Sequence, residues 1–372
     1  MYKTMPQYRV EFFERLRNTL GNAGITLHVA YGRGNREDIS LGVSAHYANG
    51  IEIHNRRISV GNREVLWQPC LRLAAKADLV IVEQASRLAV NNVLLLMQLM
   101  RLTRVGFWGH GVNLKKHTAS RSGEFVKRIV SRYPHWWFAY TEGTKEHVIA
   151  LGYPSSRITV VQNATNTEVL IKTIGAVGER GATEFRDAYD LGSGPIGIFL
   201  GSLYRGKRLP FLIDAGVHLA RLRPDFKLVI AGDGPERHFV EDAARQFSWL
   251  RYVGRLERAQ ECAPALAAAS FVLVPGSVGL VVLDSFAAAK PLVTTAINDH
   301  GPEIEYLRDG ENGLIVADVD NAEAYARAIE SLLDDGDRYD RLVSGCRRAR
   351  TIYTLEAMVK RFTNGVIDAL AA

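Results

Sequence analysis

Cysteine is scarce. Cys70, Cys262 and Cys346 stand far apart in a chain of 372 residues, and none forms a CxxC spacing. That argues against a zinc site or a disulfide framework and fits a reducing cytosol. A run of eighteen or more apolar residues is also lacking, so no transmembrane helix is expected. The opening MYKTMPQYRV has no apolar stretch of the kind a signal peptide needs. Repeats of 20–50 residues do not occur, and neither an aromatic–basic platform nor a helix-turn-helix is present, which sets nucleic acid aside as a partner. Charge is not short, but it is uneven. The net +6 combines an excess of eleven cations over residues 1–175 with an excess of five anions over the remainder. A basic first half suits an anionic membrane surface or a phosphorylated substrate, and equally a plain solvated surface.

What is present is an alternation of strands and helices long enough for two domains. Residues 8–21 read as an amphipathic helix with Phe12, Phe13, Leu16 and Leu20 on one face. Gly24 to Tyr31 reads as a strand. Ahead of that helix, where a Rossmann-like domain places its first strand, stands only MYKTM. Either that strand is a stub or the given chain starts downstream of the native one. After a polar region (42–62) come the helix Pro69–Lys76, the strand Leu79–Val82, the helix Asn91–Leu102 and the strand Val105–Trp108, which runs into Gly109-His110-Gly111. Lys115 to Arg132 reads as a basic helix, either a membrane-surface patch carrying Lys115, Lys116, Lys127 and Arg128 or a solvated face. Trp136-Trp137-Phe138 then reads as a buried strand. The pattern predicts a parallel sheet with helices on both faces, with ligands beyond the carboxyl ends of the strands.

Residues 163–190 lose apolar periodicity and collect glycines, which reads as a domain boundary. The domains expected are 1–165, a linker over 166–190, a second domain over 191–350, and a terminal helix over 351–372. The second half is organised around FVLVPGSVGLVVLDSFAAAKPLVTTAINDHGPEIEYL, residues 271–307. An apolar strand stops at Pro275-Gly276, Gly279 leads into a helix, a second strand follows, and His300-Gly301-Pro302-Glu303 begins another helix. A glycine loop at a helix N-terminus offers bare N–H groups to an anion.

Five pieces of the second half, GSLYRGKR, VIAGDGPE, YVGRLE, VPGSVGLVVLDSFAAAKPLVTT and HGPEIEYLRDGENGLIV, resemble in order the retaining, nucleotide-sugar-dependent group 1 glycosyltransferases of the GT-B class, family 4 in particular. PQYRVEFFERL, WGHG and YTEGTKEHVIALGYPSSRITVVQNATNT extend the resemblance into the first half. It implies an α/β GT-B fold, two Rossmann-like domains with a donor cleft between them and a C-terminal helix returning to the first. It implies transfer of a sugar from a nucleoside-diphosphate sugar to a glycan or lipid-linked acceptor with retention, in polysaccharide or glycolipid assembly at the cytoplasmic side. It implies no cofactor and no metal, since cationic side chains take a divalent ion's place.

Residue by residue, the resemblance makes Lys207 the diphosphate-contacting lysine after the loop that starts at Gly201, with Ser202 where an arginine is usual and Arg205 or Arg208 as the second cation. Gly279, Leu280 and Val281 match the backbone that approaches the diphosphate. Of the two glutamates usual across this loop, the second is Asp284, a candidate for the ribose hydroxyls, and the first position is Gly276. Glu303 and Glu305 are candidate substitutes, Glu303 the preferred one. His110 matches the histidine facing the donor sugar. Asp233 and Arg255 lie in loops that approach the nucleoside base, or are turn residues only. Tyr8 and Arg9 precede the first helix, where an acceptor would enter. A nucleotide-sugar isomerase of the same architecture and a non-catalytic nucleotide-sugar binder are the alternatives.

Overall fold

The structure, a computed structural model, describes residues 1–34, 44–60, 63–84, 88–111 and 130–372. The chain folds as two units, Met1–Asn166 with Leu355–Ala372, and Thr167–Thr354.

Unit 1 opens with α1 (Gln7–Asn22), whose buried face carries Arg9, Phe12, Phe13, Leu16 and Leu20. β1 (Val29–Gly32) and β2 (Gly50–Ile53) pair in parallel. β3 (Arg56–Val60) and β4 (Arg63–Trp67) form an antiparallel hairpin. The polar stretch 42–62 thus holds strands that its sequence did not announce, its residues being mostly polar or charged. The short α2 (Leu71–Ala74), β5 (Leu79–Glu83), α3 (Val90–Leu99), β6 (Arg104–Gly109), β7 (Trp136–Ala139), α4 (Glu142–Ala150) and β8 (Ile158–Val160) follow. Strands β5 to β8 make one parallel sheet in sequence order. Its apolar strands, Trp136 to Ala139 above all, are buried, as strands covered on both faces must be. The opening residues take a strand's place. Tyr2 bridges Tyr31 of β1, and the amino group of Met1 donates to the Ile81 carbonyl of β5 at 2.5 Å. Lys115, Lys116, Arg121, Lys127 and Arg128 of the basic stretch lie outside the described residues.

Unit 2 starts with α5 (Glu168–Ala188). The stretch expected to be a linker is therefore mostly helix, broken only at Gly178 (φ 55°, ψ −158°). Its many glycines and charges hide a narrow apolar stripe that packs on α8 (Ala259–Ala268), and Arg186 ties its end to the carbonyls of Gly192, Gly194 and Ala268 at 2.9 Å. Between and after them run β9 (Ile196–Leu200), α6 (Leu209–Leu222), β10 (Lys227–Ala231), α7 (Arg237–Gln246), β11 (Leu250–Tyr252), β12 (Phe271–Leu273), α9 (Val281–Ala287), β13 (Leu292–Thr295), β14 (Gly313–Val316), α10 (Ala322–Asp334) and α11 (Gly336–Ile352). The helix expected from His300 is only a 3-10 turn, Pro302–Tyr306. α11 went unread, its apolar positions being sparse among arginines.

The six strands of unit 2 are all parallel, in the order β11-β10-β9-β12-β13-β14. The chain builds one half outward from β9, then crosses back and builds the other from β12. Between β9 and β12 the connections leave in opposite directions, which makes this pair the topological switch point of the sheet. Finally α12 (Leu355–Ala371) returns to unit 1, where Phe362 stacks on Phe138 at 4.5 Å between ring centroids and meets Trp108 edge-on at 4.9 Å. No helix among the described residues is long and apolar enough to cross a membrane.

Candidate active site

Four loops meet at the carboxyl ends of the unit 2 strands, packed backbone against backbone. After β9 the chain turns at Gly201 (φ 146°), where an added Cβ would meet open space. At Gly232 (φ 154°), after β10, a Cβ would overlap the Gly201 carbonyl oxygen, and at Gly234 (φ 153°) it would overlap the Leu203 backbone. The N–H of Leu203 donates to the Asp233 carbonyl at 2.9 Å, and that of Gly232 to the Gly254 carbonyl at 2.8 Å. These glycines are required by close approach as much as by φ.

Gly276 follows the same logic with more consequence. A Cβ there would overlap the Gly206 carbonyl oxygen and the Lys207 backbone, while the N–H of Ser277 donates to the Gly206 carbonyl at 2.8 Å. The first glutamate of the expected pair is missing because this backbone leaves no space for a side chain at 276. In return, the turn carrying Lys207 is pressed directly onto the loop after β12. Lys207 Nζ donates to the Ser277 carbonyl at 2.5 Å, and burial lowers its pKa to about 8. A cation so placed, bonded to one carbonyl and lying 5.7 Å from the Tyr204 ring centroid, stands at the switch point between β9 and β12.

Glu303 lies on the far side of the same loop. It is 5% exposed, and its Oε2 lies 4.0 Å from where a Cβ on Gly279 would be and 2.8 Å from where one on Gly301 would be. Nothing else comes within 4 Å of that Gly279 position, so one face of the glycine opens toward the carboxylate. Leu280 caps α9 and Val281 begins it, which brings the N–H groups of the helix start to this edge. Glu305 is exposed. Asp284, one turn into α9, has its carboxyl enclosed although part of the residue surface reaches solvent. Burial alone raises its pKa to about 7.

The two arginines part company. Arg208, in the left-handed region (φ 57°, ψ 44°), donates to Thr295 Oγ1 at 3.3 Å, to the Val319 carbonyl at 2.6 Å and to Asp320 at 2.7 Å, with its guanidinium over the Phe211 ring at 4.3 Å. It is committed to holding the loop after β14, so it is removed as the second cation. Arg205 is exposed and makes no side-chain bond among the described residues. Asp233 accepts from the N–H of Gly234 at 2.8 Å, the turn role, and Arg255 pairs with Glu257. Two Asp-x-Asp spacings occur in the chain. Asp320 of the first (Asp318, Asp320) is paired with Arg208, and Asp335 of the second (Asp335, Asp337) caps α11 through the Arg338 N–H.

In unit 1, His110 stands just past β6 with its ring 6.1 Å from that of Tyr140. Tyr8 is 45% exposed, but neither it nor Arg9 precedes the helix, since both lie within α1. Arg9 is 1% exposed. Its guanidinium donates to Asn163 and to Met358 Sδ at 3.6 Å, and lies 4.9 Å from the Trp108 ring centroid. Burial opposes its charge, and the phenols of Tyr2, Tyr140 and Tyr8 outweigh it, raising the pKa. Arg9 thus joins α1, the end of β8 and α12, and no acceptor reaches it. Sequence reasoning also passed over His300, which is buried and bonded through both ring nitrogens. Its place in HGPE, between two loops already under suspicion, was the available signal.

Residues 194–335 match the family model described as Glycosyl transferases group 1. The lipopolysaccharide core biosynthesis glycosyltransferase LpsE of Rhizobium meliloti (strain 1021) is 34% identical over 230 residues, which are 60% of this chain and 61% of that protein. The chain therefore spans about three fifths of that relative. The Anabaena protein HepE, solved in complex with UDP, superposes with a TM-score of 0.72 at 14% identity over 98% of both chains. A Listeria monocytogenes protein assigned as a UDP-N-acetylglucosamine 2-epimerase does so at 0.61 and 14%, over 98% of this chain and 95% of that one. At such identities these structures bear on the fold alone, which is GT-B in both cases with parallel sheets in two Rossmann-like domains.

Proposed function

We propose that the chain, whose residues 194–335 match the model of the group 1 glycosyl transferases, transfers a sugar from a nucleoside-diphosphate sugar to a glycan or lipid-linked acceptor with retention of configuration. The observation that carries this reading is the pair of charges flanking the Gly276–Gly279 loop, with Lys207 on one side and Glu303 on the other, at the β9/β12 switch point. Breaking the bond between sugar and diphosphate leaves negative charge on the diphosphate. A preorganised cation and N–H donors lower the barrier by meeting that charge where it develops. Lys207 and the start of α9 supply them, with exposed Arg205 as the second cation in place of a divalent metal. Burial raises the cost of the Lys207 charge, and an arriving diphosphate offsets it, so binding draws the lysine toward its protonated form. Glu303 lies beside Gly279, on the other side of the loop from Lys207, and we assign it to the sugar side of the loop. His110 of unit 1 is the further catalytic group.

LpsE acts in lipopolysaccharide core biosynthesis and HepE binds UDP. They favour a nucleotide-sugar donor and a glycan or lipid-linked acceptor. The test is a thermal-shift screen of nucleotide sugars, since a ligand that binds only the native state raises the midpoint by mass action, followed by transfer assays with the donor found. Lys207→Ala is expected to lower kcat/KM by about 10²–10³-fold, as loss of one preorganised charge-stabilising donor does, with turnover unchanged by EDTA. Undiminished transfer by Lys207→Ala sinks the assignment of that residue, and conversion of donor without acceptor points to an isomerase.

A further inference from the structure

The loop after β12 carries the backbone assigned above to the diphosphate, yet it lacks the side chain at 276 that would anchor it from within. Its anchor comes from the neighbouring loop instead. His300 is 7% exposed. Its Nδ1 accepts from the Val278 N–H at 3.1 Å and its Nε2–H donates to the Thr295 carbonyl at 2.8 Å. The Val278 carbonyl accepts from the Gly301 N–H at 2.7 Å. Val278, itself wholly buried, is thus gripped at both its N–H and its carbonyl by two consecutive residues, 300 and 301. Thr295 completes the frame by donating its hydroxyl to the Pro275 carbonyl at 2.7 Å. On one side of Val278 is Ser277, which receives Lys207, and on the other is Gly279, which faces Glu303.

We propose that His300 is a positioning residue that sets the Ser277–Gly279 turn for a nucleoside diphosphate, fixing through its two ring nitrogens the spacing between Lys207 and Glu303. This rests on the reading of unit 2 as a nucleotide-sugar site. The bonding pattern requires the neutral ring with its proton on Nε2, since only an unprotonated Nδ1 accepts from Val278. Protonation turns that acceptor into a donor facing another N–H and breaks the frame. The charged groups that face the ring are Lys207, from the turn after β9, and Asp299, from its own loop, with Glu303 on the 3-10 turn that follows. Burial and Lys207 disfavour the imidazolium, while the Thr295 carbonyl and Asp299 favour it, and the balance keeps the ring neutral below the usual histidine range. The turn is therefore set at neutral pH and loosened by acid.

The experiment measures binding of UDP, GDP, ADP and dTDP by calorimetry, with thermal midpoints, for the wild type, His300→Ala, His300→Asn and His300→Gln at pH 7.5 and pH 5.5. His300→Asn keeps an acceptor near the place of Nδ1, and His300→Gln keeps a donor near that of Nε2. For the nucleotide that binds, His300→Ala is expected to weaken affinity at pH 7.5 about tenfold, the worth of one well-placed hydrogen bond. His300→Asn recovers most of that loss, and His300→Gln does not. The wild type loses more affinity between pH 7.5 and 5.5 than His300→Asn does, the nucleotide's own protonation being common to both. A folded His300→Asn as weak as His300→Ala overturns the proposal, as does a His300→Ala that binds like the wild type. A wild type that binds none of the four nucleotides overturns the reading of the site itself, with this inference along with it.

Discussion

The two units share one architecture, and their strand ends are finished in opposite ways. In unit 2 the carboxyl ends carry loops of glycine stacked on one another, with a lysine, a glutamate and bare backbone left along the edge. In unit 1 the described polar groups beside the strands are bonded to one another. Arg9 and Tyr2 are buried, Asn163 takes the guanidinium, and the Lys3 N–H donates to half-buried Glu83 at 2.6 Å. In unit 2 close approach of backbone to backbone excludes side chains from the glycine loops, whereas in unit 1 an arginine is built into the interior.

That contrast is broken most directly at Gly276. Gly276→Glu restores the carboxylate expected of the family and places it on the backbone of Gly206 and Lys207, and Gly276→Ala already puts a Cβ there. Each is expected to cost about 3 kcal/mol or more, as overpacking of a rigid site does, and to abolish nucleoside-diphosphate binding. Thermal midpoints and calorimetry read both. A Gly276→Glu protein that folds and transfers normally would show that the turn carrying Lys207 can yield.

Arg9 tests the other side. Arg9→Leu leaves Asn163 without its donor and removes a cation held among phenols and the Trp108 ring. The expected loss is about 2–3 kcal/mol of stability, from an orphaned buried amide and imperfect repacking, with affinity for the nucleotide unchanged. Denaturant unfolding combined with calorimetry separates the two effects. If Arg9→Leu weakens nucleotide binding in step with stability, the units are not finished independently and the comparison fails.

How much of this was legible follows the same line. The strands and glycine loops of unit 2 were readable because each motif is local. Val-Ile-Ala before Gly232 and Leu-Val-Pro before Gly276 announce a strand and its stop within a few residues. Lys207 and Glu303 were singled out from the motifs around them, and the structure places them on either side of one loop. Arg208 was misread, because its partners Val319 and Asp320 lie more than a hundred residues away. Arg9 was misread for the same reason, with Asn163 and Met358 as partners. α5 was missed because its apolar stripe is thinned by Gly175, Gly178 and Gly181. Gly276 looked like a loss of function until the backbone beside it was seen. Residue identity told where the loops are, and only packing told which charges they keep.

The smallest expected effect concerns Asp284, a buried acid at the rim of the open site. Burial holds its carboxyl up to about 7, against about 4 for an unfolded aspartate. The folded state thus binds a proton more tightly than the unfolded chain, so this group penalises folding at pH above its folded value. The penalty is relieved as pH falls toward the unfolded one. Asp284→Asn removes the ionisation and keeps the shape. It is expected to raise the thermal midpoint by a few degrees, on the order of 1 kcal/mol or more, at pH 8, with the difference shrinking at pH 5 where the wild-type acid is largely neutral. On the reading that Asp284 serves the ribose hydroxyls, the same substitution weakens an acceptor, so nucleotide affinity is expected to fall about threefold at pH 8 while stability rises. Stability and binding moving in opposite directions is the mark of a residue kept for a ligand at the fold's expense, as unit 2 requires. If both fall together, Asp284 belongs with Arg9 among the groups that hold the protein up.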